Sequence, residues 1–182
     1  MRIGKFEIEQ LSEGVFRSFK DSSFTKTDAG TITANESDSF SDSYSQPIGI
    51  DPVLIRDGKH NILLDTGLGW GLDSKSAYKN TSNLRTNLDI FGLTPDDITH
   101  VVLTHLHFDH AAGCTYVNDL TQTQATMPYA HYFVQKLEWK FAVEQMINQG
   151  GLASGSEYKL DEFYKLLAED KLVMINEPFF EL

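Results

Sequence analysis

Residues 99–113 read Thr99-His100-Val101-Val102-Leu103-Thr104-His105-Leu106-His107-Phe108-Asp109-His110-Ala111-Ala112-Gly113, an apolar, β-branched run that leads directly into four potential metal ligands. On an extended segment, residues two apart point the same way, so His105 and His107 can present their imidazoles to one ion as a chelating pair. Asp109 and His110 follow where the chain must turn, which aims their side chains at a second ion beside the first. Nitrogen and oxygen donors of this kind suit zinc, with iron or manganese as alternatives. The chain has six histidines, and three of them fall within these six positions, which sets the cluster apart from a chance polar loop.

Upstream, Pro52-Val53-Leu54-Ile55-Arg56 and Asn61-Ile62-Leu63-Leu64 flank Asp57-Gly58-Lys59-His60, the pattern of a β-hairpin with a tight polar turn. Its second strand delivers Asp65 to the strand's C-terminal end. Leu84, Leu88 and Phe91 recur at helical spacing before Gly92, which predicts a helix over 82–91 packed on a sheet. Thr94-Pro95-Asp96-Asp97 then reads as a cap, a first-turn proline and an acidic first turn. Nearer the N-terminus, Phe6 and Ile8 alternate with Lys5, Glu7 and Glu9 as in a half-buried strand, and Val15-Phe16 continues after the Glu13-Gly14 turn.

Downstream, residues 114–128 read as irregular, Tyr129–Val134 as a strand, 135–148 as a helix with a broad apolar face, and 161–169 as a third helix before the run Leu172-Val173-Met174-Ile175. The strand reading makes His131 a packed or surface histidine rather than a ligand, and Cys114 a small buried thiol. Residues 20–46 hold seven serines and four threonines and read as a polar loop insertion, whose Phe24, Phe40 and Tyr44 could reach over the metal site. The pattern is α/β in one domain spanning 1–182.

His105-Leu106-His107-Phe108-Asp109-His110 resembles the His-x-His-x-Asp-His signature of the metallo-β-lactamase superfamily. Asp65-Thr66-Gly67 resembles that family's turn after the second hairpin strand, and residues 93–100 its lead-in to the metal loop. Asp51–Ile55 and the region 131–139 are most similar to the lactonase-like hydrolases that open acyl-homoserine lactones. The resemblance implies an αββα sandwich, of which this chain supplies the first half and part of the second, with Asp65 hydrogen-bonded beneath the metal loop. It implies two zinc ions in a complete site, His105 and His107 on the first, Asp109 and His110 on the second, and Asp109 also handling the proton.

Family members carry a third histidine, a bridging aspartate and a last histidine downstream. Here the only histidine after His110 is His131, and Asp161, Glu162, Glu169, Asp170, Glu177 and Glu181 stand in no ligand motif, so the domain is expected to be C-terminally incomplete. The implied chemistry is hydrolysis of a small lactone or ester, because a bound metal lowers the pKa of water from about 15.7 to about 7 and makes hydroxide available at neutral pH. The alternatives are a thioester hydrolase of glyoxalase type, and a non-catalytic half-fold that binds metal or dimerises.

The charge narrows the partners. Fifteen basic residues against 26 acidic ones leave −11, a field that repels phosphate backbones and anionic membranes, so neither nucleic acid nor membrane is expected and a small-molecule substrate is. No stretch approaches the roughly 20 apolar residues of a membrane span. The single cysteine fits a reducing, cytoplasmic setting. An uncovered sheet face would favour self-association into a homo-oligomer.

Overall fold

The computed structural model describes residues 1–19, 24–27, 44–69, 71–76, 82–148, 158 and 160–177. Its centre is a mixed sheet built from β1 Arg2–Ile3, β2 Phe6–Gln10, β6 Val53–Arg56, β7 Asn61–Leu64, β8 His100–Val102, β11 His131–Gln135 and β12 Leu172–Ile175. These seven strands lie side by side in the order β1-β2-β6-β7-β8-β11-β12. The hairpin expected at 52–64 is present: β6 and β7 pair antiparallel, with Leu54 opposite Leu63. From β7 onward the pairing is parallel, β7 with β8, β8 with β11 and β11 with β12. Parallel neighbours need crossovers, and helices supply them.

Alternation decides the two faces of this sheet. Leu54, Leu63, Val101 and Tyr132 are fully buried and share one apolar cluster with Leu84 and Leu88 of α1 (Leu84–Ile90), Ala142 of α3 (Lys136–Asn148) and Leu166 of α4 (Tyr164–Ala168). Ile8, Ile55, Ile62 and Val102, one residue out of phase, stay half-buried on the opposite face. Burying each large side chain of the first row contributes about 1.5–3 kcal/mol.

Helix ends follow the local chemistry of their residues. Asn83 caps α1 by accepting from the Thr86 backbone N–H at 3.1 Å, while the Thr86 hydroxyl accepts from the Asn83 N–H at 3.0 Å. Gly92 follows the helix with φ +68°, the left-handed conformation that glycine adopts without strain. Thr94 to Asp97 closes a single 3₁₀ turn, Pro95–Asp97, in which the Asp97 carboxylate accepts from both the Thr94 N–H and hydroxyl at 2.8 Å. The third helix is likewise split, a 3₁₀ turn at Leu160–Phe163 leading into α4.

Two stretches differ from the sequence expectation. Strands β4 (Phe24–Thr27) and β5 (Tyr44–Gly49) stand inside or across the boundary of the polar stretch 20–46, flanking β3 (Val15–Phe19) in a three-stranded sheet. The rest of that stretch, with Phe40, lies outside the described residues. Residues 114–128, expected to be irregular, contain the ribbon β9 (Thr115–Val117) and β10 (Thr123–Ala125). Among the described residues no helix is long and apolar enough to cross a membrane.

Candidate metal centre

The site forms where β7 and β8 end. Asp65 continues the β7 ladder by donating its N–H to Val102 O at 3.0 Å, and Leu103 does the same for β8 toward Phe133 O at 2.9 Å. Beyond Leu103 the chain bends at Thr104, passes through His107 in an extended conformation (φ −60°, ψ 143°) and then coils into the short helix α2, Phe108–Ala111. Leu106 is 1% exposed and sinks into the core, which turns its neighbours His105 and His107 the other way. The first turn of α2 carries Asp109 and His110. One ligand atom each from His105, His107 and Asp109 lies within 4.8 Å of the other two. The His105 ring sits 4.8 Å from that of His107 and 4.0 Å from that of His110, and His110 Nε2 is 3.7 Å from Asp109 Oδ2.

Asp65, at φ +57°, holds this group from below. Its carboxylate accepts from the Thr104 N–H at 2.8 Å, the Thr104 hydroxyl at 2.7 Å and His110 Nδ1 at 2.9 Å. An ionised carboxylate only accepts, so the one hydroxyl proton of Thr104 is committed to it. His105 Nδ1, 2.9 Å from the same hydroxyl oxygen, must then be the donor in that contact. In their neutral forms both His105 and His110 therefore carry the proton on Nδ1 and leave the Nε2 lone pair free, the arrangement a metal-ligating imidazole needs. Burial chiefly, and then the neighbouring rings of His110 and His107, hold the His105 pKa below its ordinary value, which keeps it neutral at pH 7. The bond to Asp65 raises that of His110 against the opposing effect of burial.

The backbone around the ligands is fixed by contacts distant in sequence. Leu106, between the two histidines, donates its N–H to Glu138 Oε1 of α3 at 2.9 Å. Thr66 donates both its N–H, at 2.7 Å, and its hydroxyl, at 3.1 Å, to His110 O. Gly113 donates to Gly67 O at 3.2 Å. A Cβ on Gly113 would stand 2.1 Å from Thr66 O, so only glycine fits there. On the open side the His107 ring packs on Tyr158 at 4.7 Å.

His105, His107, Asp109, His110 and Asp65 thus converge, and the donor set of imidazole nitrogens and a carboxylate fits a zinc-like ion. His131 lies away from them, exposed at the start of β11 and in register with His100. Cys114 is buried, its sulfur 3.5 Å from the Thr66 hydroxyl. Glu169 is paired with Lys165 at 2.7 Å and Lys171 at 3.0 Å, and Asp161 is exposed. Among the described residues no later carboxylate joins the cluster; Glu181 lies outside them. Phe24 and Tyr44 stand in β4 and β5. Sequence reading missed Thr104, Glu138 and Tyr158; Thr104 alone had a signal, its place beside the histidines.

Residues 47–177, more than half of the chain, match the sequence profile of the family described as the metallo-beta-lactamase superfamily. No curated protein matches the chain. Among solved structures, a probable metal-dependent hydrolase from Staphylococcus aureus is similar at 25% identity and a TM-score of 0.64, over 100% of this chain and 63% of its own. AidC, a dizinc quorum-quenching lactonase in complex with a product, N-hexnoyl-L-homoserine, matches at 22% identity and a TM-score of 0.63, over 100% and 62%. The hydrolase AbOPH matches at 21% and 0.63, over 97% and 60%. The chain therefore spans less than two thirds of the length of these proteins.

Proposed function

The chain belongs to the metallo-beta-lactamase superfamily, and from that membership we propose that it carries the metal-binding part of a zinc-dependent hydrolase of small lactones or esters. His105 and His107 would hold one ion, and Asp109 with His110 a second beside it. The observation that carries the reading is the meeting of His105, His107 and Asp109 within 4.8 Å, at the carboxyl ends of parallel strands, where α/β proteins place their ligands. When bound, such ions polarise a carbonyl and activate water at neutral pH.

The rest falls to this chain's own groups. The depressed pKa of His105 keeps its Nε2 unprotonated at working pH. Asp65 and Thr104 lock the imidazole orientations through bonds of 2.7–2.9 Å, so little ordering remains to be done on binding. Asp109, a half-buried member of the cluster, would accept a proton and return it to the leaving oxygen. The single cysteine is buried behind the site, so no thiol nucleophile enters the scheme. The lactone preference is supported by the likeness of Asp51–Ile55 and residues 131–139 to lactonase-like members, and by the lactonase among the structural relatives.

Elemental mass spectrometry of the purified chain, paired with turnover of an acyl-homoserine lactone and a p-nitrophenyl ester with and without chelator, tests this. Bound zinc with chelator-sensitive lactone or ester hydrolysis is expected. Turnover confined to a thioester would move the substrate class, and a chain that takes up no zinc would overturn the reading.

A further inference from the structure

We propose that Glu13, in the loop between β2 and β3, is a positioning residue for the candidate metal centre; this rests on the metal-binding reading above. Glu13 is 2% exposed, an unusual place for a carboxylate. Its two oxygens tie together two segments far away in sequence: Oε2 accepts from the Leu68 N–H at 2.9 Å and Oε1 from the Leu84 N–H at 3.1 Å, at the start of α1. The carboxylate also fills the space over Gly67, where an added Cβ would lie 2.4 Å from Oε2. Gly67 itself sits at φ +69°, a conformation that glycine adopts without strain.

The turn Glu13 grips is the one that carries Asp65. From Gly67 the carbonyl reaches Gly113 N–H, from Thr66 two donors reach His110 O, and from Asp65 the carboxylate reaches Thr104 and His110 Nδ1. Glu13 bonds to the backbone N–H groups of Leu68 and Leu84. It fixes the backbone turn through which Asp65 sets the faces of His105 and His110, and a buried acceptor removed from two N–H groups leaves both without their partner.

Glu13→Gln keeps the shape and replaces one acceptor with a donor. The expected result, read in the metal-free chain by hydrogen exchange, is at least about tenfold faster exchange of the Thr66, Gly113 and Thr104 amides, with Val101 and Tyr132 in the sheet unchanged. Cobalt titration should show about tenfold weaker binding, the lower end of what orienting partners contribute to metal sites. Asn83→Ala, which removes the cap of α1 on the other arm of Glu13, is the control and should move neither readout. Glu13→Asp, one methylene shorter, gives the same test if Glu13→Gln fails to fold. Unchanged exchange at the three amides, or equal changes in Asn83→Ala, would overturn the proposal. A native chain that binds no cobalt would sink the metal reading instead, and the exchange pattern would still decide whether Glu13 holds the turn.

Discussion

Asp65 Oδ2 receives the Nδ1 proton of His110 at 2.9 Å, and the same oxygen takes the hydroxyl proton of Thr104. A single carboxylate thereby sets one imidazole directly and a second, His105, through one hydroxyl.

Asp65→Asn should therefore misorient the site without unfolding the chain. Asparagine tolerates the left-handed backbone at φ +57° and keeps one acceptor. It cannot accept from Thr104 and His110 as the carboxylate does. Cobalt or zinc affinity should fall about 10–100-fold with the far-ultraviolet circular dichroism spectrum intact. Affinity unchanged from the native chain would mean that Asp65 is only a turn residue.

Glu138→Ala removes the acceptor for the Leu106 N–H, which lies between His105 and His107. An orphaned, part-buried donor costs about 1–3 kcal/mol. Urea titration should show that loss with an unchanged slope. Glu138→Gln, which retains an acceptor oxygen, should recover most of it.

Gly113→Ala should be among the most damaging small substitutions in the chain. The added Cβ would stand 2.1 Å from the Thr66 carbonyl oxygen, and neither is at the end of a flexible side chain. Overpacking of this kind costs about 1–3 kcal/mol or more. A melting temperature within a degree of the native value would refute the close approach of the two loops.

Acidification should weaken the chain through His100. Burial first, then the charges of His60 and His131, hold its pKa below the ordinary 6.5, with Asp57 opposing. His60 meets its ring edge-on at 5.4 Å, Phe133 stacks on it at 5.7 Å, and His131 stands in register on β11. Because the folded pKa is depressed, the unfolded chain binds the proton first, so stability is full above about pH 6.5 and is lost as pH falls toward the folded value. Between pH 7.5 and 5.5 the native chain should lose more of its melting temperature than His100→Gln does. Equal losses would put the pH dependence elsewhere.

The ligands were legible because they are local. An extended pair followed by a turn puts His105, His107, Asp109 and His110 within six residues, and two-residue spacing says that His105 and His107 share a side. Asp65 was legible as the last residue of an apolar strand. Glu13 and Glu138 were not, since each acts on a backbone N–H 32 to 71 positions away and neither stands in a motif. The strands at Phe24–Thr27 and Tyr44–Gly49 escaped for a different reason. Both are short and carry no run of apolar residues to read, and the pairing partner, β3, lies outside the stretch.

Leu106 in the core with His105 and His107 on the other side has a meaning for how this segment can change over time. Around Leu106 the side chains alternate, so inserting or deleting one residue between His105 and His107 would break that alternation, driving an imidazole toward the apolar cluster or leucine out of it. Substitution at a position such as Phe108 leaves that alternation in place, whereas a change of length between His105 and His107 does not.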